Sequence, residues 1–171
     1  PARRWTVAWF TGRVNKQHGY LDKAITEFQS IIEDRYPELE RRGFDFSKDY
    51  VVLNELGQTL FERSKQERRN PEARTKYLES AVKRFLQVLD LDSENLTAHY
   101  NLGLIYSQLE RSEDSKRHRE LHEKYRPDVS AREQAKTAAR LRDPAANHAA
   151  QSVVIYPLTG DPAKRSTVTV D

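Results

Sequence analysis

The chain has 171 residues, 37% of them hydrophobic and 32% charged, enough apolar material for one domain with a buried core under a well-solvated surface. Its 29 basic and 26 acidic side chains leave only +3, spread along the chain, which argues against a dedicated nucleic-acid binder. The lack of cysteine excludes disulfides, thiolate metal sites, covalent c-type haem attachment and cysteine nucleophiles, and no apolar run approaches the length of a membrane span.

Apolar residues recur at helical spacing from Trp5 to Arg142, with Gly and Pro sparse between them, which predicts an all-α chain. The first unit covers 5–38: a helix holding Gly12, then "GYLDKAITEFQSII" at 19–32 with Ala24 and Phe28. "ERRGFDFSKD" at 40–49 reads as an inserted loop that Phe44 and Phe46 are expected to tuck against the core. The second unit covers 50–95 and pairs "NELGQTLFE" at 54–62 with "KYLESAVKRFLQVL" at 76–89, so that Ala81 and Phe85 match Ala24 and Phe28. In the third, 96–128, "YNLGLIYSQ" at 100–108 sets Leu102 and Gly103 in register with Leu56 and Gly57, while Ser115 and Arg119 replace the Ala and the aromatic.

Gly103 sits inside a helix, where Gly costs roughly 1 kcal/mol relative to Ala. The expected return is close approach: small residues of the paired helices face each other and neighbouring apolar side chains interdigitate, each buried Leu worth about 1.5–3 kcal/mol. Gly57 and Gly103 lie 46 apart, so the second unit carries an insertion near "RSKQERRNPEAR" (63–74). Asn70 and Pro71 read as an N-cap and a first helical residue, and the insertion should lengthen both helices by about six residues, roughly 9 Å each.

Beyond Pro127, "SAREQAKTAAR" has capping-box spacing at Ser130 and Glu133 and a narrow face of Ala131, Ala135, Ala138 and Ala139, a helix over 129–142 that would seal a stack of hairpins. The helical domain then spans 1–142 and a tail spans 143–171. In that tail Val153, Val154, Ile155 and Tyr156 form a strand signal and "STVTV" a shorter one. Left in water this run is an aggregation-prone edge, so it is expected to dock on a partner or another domain and to support assembly. The sequence begins at Pro1 and holds no methionine, which suggests a processed leader or a piece of a longer polypeptide.

The Leu-Gly and Ala-x-x-x-Phe patterns, repeated in register, resemble the tetratricopeptide repeat, a helix–turn–helix unit of 34 residues. The resemblance implies three hairpins (5–38, 50–95, 96–128) stacked as a solenoid, and a non-enzymatic scaffold that binds another protein or another domain of the same polypeptide. It also implies an extended peptide along the first helices of the units. Those positions hold Thr6, Trp9, Arg13, Lys16 and Gln17 in the first unit. They hold Val51, Asn54, Gln58, Phe61 and Glu62 in the second, and Thr97, Tyr100, Leu104, Ser107 and Gln108 in the third. Family members that clamp a C-terminal carboxylate use positions that here carry Trp9, Arg13, Glu55, Thr97 and Asn101, and Glu55 would repel that ligand.

No Gly-rich phosphate loop, nucleophile elbow or catalytic constellation is visible, so neither enzymatic activity nor a cofactor is expected. His118 and His122 are four apart, a spacing that can hold a metal, but no third ligand is evident and Arg and Lys surround them; packing or capping is the reading for His18, His99 and His148. The basic run from Arg63 to Arg69 is expected to form exposed hairpin ends; RNA binding there would weaken steeply with salt. The stretch "YRPDVSAREQAKTAARLRDPAANHAAQSVVIYPL" (125–158) is similar to the C-terminal end of bacterial repeat proteins fused to multihaem c-type cytochrome modules. That similarity implies an alternative role, a docking domain of a redox complex in the periplasm or outside the cell, with any haem held elsewhere.

Overall fold

The computed structural model describes residues 3–126 together with 137–138 and 141–142. Contacts divide the chain into Pro1–Arg126 and Pro127–Asp171. In the second unit the four described residues are helical; most of the expected sealing helix and the whole tail with Val153 to Tyr156 lie outside the described residues.

Regular structure in the described residues is helical, with no strand: α1 (Arg4–Gln17), α2 (Leu21–Glu33), a single turn α3 (Pro37–Glu40), a 3₁₀ turn (Phe46–Lys48), α4 (Tyr50–Gln66), α5 (Pro71–Leu91), α6 (Leu96–Gln108) and α7 (Ser112–Tyr125). α4, α5 and α6 start where short polar side chains take up orphan N–H groups. The Asp49 carboxylate accepts from the N–H groups of Val51 and Val52 at 2.8 and 3.4 Å, and Asn95 accepts from that of Ala98 at 3.1 Å. Asn70 accepts from the N–H of Ala73 at 3.0 Å, with Pro71 at the first helical position as its spacing predicts. Asn70→Ala should lower unfolding free energy by about 1 kcal/mol in urea titration, with an unchanged slope.

α1 pairs with α2, α4 with α5 and α6 with α7, and each later pair stacks on the earlier one through α2 against α4 and α5 against α6. One continuous core runs through all three hairpins, with Ala24, Phe28, Leu53, Leu56, Ala81, Phe85, Ala98, Leu102 and Ile105 each reduced to 0% exposure. The insertion is not shared evenly between the two helices. α4 has 17 residues where α1 has 14, whereas α5 has 21 where α2 has 13. Asn70 and Pro71 fix the start of α5 well before its core residues Leu78, Ala81 and Phe85, so the extra length falls on its N-terminal end. The loop aromatics also divide: Phe46 packs on the core against Trp5 and Tyr36, while Phe44 leans edge-on against Phe46 and stays 45% exposed.

The helical glycines face something larger than the sequence suggests. A Cβ on Gly12 would lie 2.7 Å from the Phe28 ring, and one on Gly57 would lie 2.9 Å from the Phe85 ring. The partner is thus the aromatic four residues after the small alanine, whose ring atoms occupy the space a Cβ would take. Arg119 holds that place in the third hairpin, and a Cβ on Gly103 would meet its Cγ at 3.0 Å. There the close approach also lets Ser115 Oγ donate to the Gly103 carbonyl at 2.7 Å, a buried bond between helices.

Candidate functional site

Three first helices stacked in register carry equivalent side chains on one row. Trp9, Asn54 and Tyr100 occupy the same position on α1, α4 and α6, and one turn on lie Arg13, Gln58 and Leu104. Tyr100 is 53% exposed, and Trp9 and Asn54 are half-buried, so the row offers apolar rings on either side of an amide. The Arg13 guanidinium lies 5.7 Å from the Trp9 ring centre, which holds the indole face and leaves a charged rim.

Asn54 is polar machinery left half used. Its Nδ2 donates to Asn95 Oδ1 at 3.3 Å, while its own Oδ1 is buried without a partner. A buried amide oxygen left bare costs about 1–3 kcal/mol, so turning it onto a donor brought by a ligand gives up only one long bond. Lys16 is committed: its ammonium contacts Glu55 at 3.0 Å, Gln58 at 3.2 Å and Glu62 at 4.0 Å. Glu55 thus pairs with Lys16 across α1 and α4 and leaves that ammonium no free charge for a ligand.

Two positions named on the pattern do not line the row. Phe61 is 4% exposed, with Lys65 over its ring, because α4 is the middle first helix and is packed from several sides. Asn101 is 8% exposed, and its amide donates to the Thr97 carbonyl at 2.8 Å on its own helix. Gln108 is exposed and accepts from Arg74 at 2.9 Å, tying α6 to the lengthened end of α5. What the pattern misses is an apolar cleft of about 230 Å³ at the α1 end of the row, between Trp5, Trp9, Phe46 and Val51. Its signal was the pair of tryptophans plus a loop phenylalanine, but the loop's path is not written in either helix.

His99, His118 and His122 form a second cluster, built across α6 and α7. His118 turns into the third hairpin, where its Nδ1 lies 2.9 Å from His99 Nδ1, and His122 Nδ1 donates to the Leu96 carbonyl at 3.2 Å. His99 Nε2 is 3.0 Å from the Ser93 carbonyl, which can only accept, so that nitrogen carries the proton and His99 Nδ1 accepts from His118. Tyr106 stacks on His118 and Tyr125 on His99. Burial foremost, then the neighbouring His99 and Arg117, push the His118 pKa down to about 4. Among the described residues no three His, Asp or Glu side chains gather as a metal site.

Residues 75–109, most of α5 and all of α6, match the family model described as TPR repeat. The match supports the tetratricopeptide reading of the two central helices, and repeats of this kind generally mediate protein–protein interaction. None of the curated proteins matches the chain. The expected resemblance of 125–158 to cytochrome-linked proteins finds no support in these comparisons, and most of that stretch lies outside the described residues.

Proposed function

We propose that the helical domain is a non-enzymatic scaffold that holds an extended segment of a partner protein across α1, α4 and α6. The observation that supports it is the in-register row of Trp9, Asn54 and Tyr100, two available rings flanking an amide with an unused acceptor. An extended peptide presents a backbone N–H at every second residue on one side, which suits Asn54, and alternate side chains on the other. One of those side chains, aliphatic or aromatic, fills the cleft between Trp5, Trp9 and Phe46. Glu55, at a position where carboxylate-clamping members would hold the ligand, would repel a terminal carboxylate, so the ligand of this reading is an internal segment.

Panning a random peptide library on the protein, followed by titration calorimetry of the selected sequences, tests this reading. Trp9→Ala and Tyr100→Ala should each weaken binding by at least about 1 kcal/mol, roughly fivefold, with the thermal transition retained. Amidating the peptide's C-terminus should change affinity by less than about twofold. Selected peptides that bind both variants as tightly as the parent would move the site off this row.

A further inference from the structure

Two guanidiniums sit on the two tryptophans that wall the apolar cleft. Arg13 lies over Trp9 at 5.7 Å and Arg3 over Trp5 at 5.1 Å, and among the described residues neither is paired with a carboxylate. The other cations at this end are committed: Arg4 lies 3.8 Å from Asp34, and Lys16 is held by Glu55 and Glu62. The one acid lining the cleft, Asp49, turns its Oδ1 onto the N–H groups of Val51 and Val52. Arg13 is itself exposed, but its guanidinium rests on an indole face, so its planar fork is ordered before any ligand arrives. Long helical side chains lean toward the helix N-terminus. Arg13 therefore reaches back to Trp9 and the cleft, while the Lys16–Glu55 pair belongs to the next turn.

We propose that Arg13 reads an acidic side chain of the bound segment, within two residues of the apolar anchor that fills the cleft. This rests on the peptide row and specifies its ligand, an extended segment in which an aliphatic or aromatic residue has an acidic neighbour. The spacing fits. Side chains two residues apart on an extended chain stand about 7 Å apart, and the turn of α1 from Trp9 to Arg13 rises roughly 6 Å. A carboxylate suits the fork because its two oxygens accept parallel N–H groups. Glu55 opposes a carboxylate set over α4, not one drawn to the Trp9 side of Arg13. A segment with Lys or Arg beside its anchor would instead meet two bare guanidiniums, so the same charges select against basic partners.

The probe is a set of acetylated and amidated nonapeptides with Leu or Phe fixed at the centre, so that neither terminus carries charge. In fluorescence anisotropy with the full chain, Asp or Glu within two residues of the centre should bind at least about fivefold tighter than Asn or Gln there. That preference should fall below about twofold in Arg13→Gln, with the melting temperature unchanged, and should shrink in roughly 1 M salt, where screening acts over about 3 Å. Arg68→Gln, at an exposed arginine off the row, should leave it intact. Binding that Trp9→Ala weakens but that shows no acid preference, or a preference that Arg13→Gln leaves unchanged, would overturn the proposal while the row reading stands. Absence of Trp9-dependent binding would overturn both.

Discussion

Phe85→Ala should lower the unfolding free energy by about 3–5 kcal/mol, enough to remove a large part of the 5–15 kcal/mol that holds a domain of this size. The ring is 0% exposed and fills the gap between α4 and α5 directly over Gly57, so truncation leaves a cavity that neither helix can close without disturbing its stacking partner. The same contact has a second, opposite test. Gly57→Ala adds a methyl 2.9 Å from the ring and should cost about 1–3 kcal/mol, although Ala is the better helix former by roughly 1 kcal/mol. Gly103→Ala crowds the Arg119 stem, on an exposed and flexible side chain, with backbone atoms of α7 no closer than 3.6 Å, and should be neutral or stabilising by up to about 1 kcal/mol. Urea titration of Gly57→Ala in the parent and in Phe85→Leu should show a coupling of at least about 1 kcal/mol. Additive effects would mean that the ring does not dictate the glycine.

Residues that repeat were legible in the sequence, and residues that meet across helices were not. Ala24 with Ala81, Phe28 with Phe85 and Leu56 with Leu102 fixed the hairpins, because each sits at a recurring place in a local period. Asn70 and Pro71 were equally plain, since an N-cap acts within three residues of itself. The Gly57–Phe85 contact spans two helices joined by a variable turn, so the sequence shows a glycine and a phenylalanine without showing that one lies on the other. The uneven lengthening of α4 and α5 was hidden for a related reason: an insertion count says how many residues enter but not on which side of the turn they fall. On the candidate row, Trp9, Asn54 and Tyr100 follow from register, whereas the burial of Phe61 depends on how many neighbours α4 has. The neutralisation of Lys16 by Glu55 links residues 39 apart and is a property of the stack.

Acid should loosen the third hairpin before the rest of the core, through the buried His99–His118 pair. In the unfolded chain His118 takes up a proton near its ordinary value of 6.5, but in the fold it resists until about 4. Desolvation in the cleft between α6 and α7 and the adjacent His99 ring both oppose the charge. The fold therefore binds fewer protons than the unfolded chain between those two values. Stability is at its full level above about pH 6.5, falls as pH drops through the window, and levels off below about 4. At 1.36 kcal/mol per pH unit the whole window is worth about 3 kcal/mol, of which roughly 2 kcal/mol is lost between pH 7 and pH 5. His118→Asn keeps an N–H near the Nδ1 position to donate to His99 and removes the titrating ring. Urea unfolding of both proteins from pH 7.5 to 5 should give a steep dependence in the parent and a curve flatter by about 2 kcal/mol in the variant. Parallel curves would mean that His118 is solvated in solution and that the pair does not couple folding to protons.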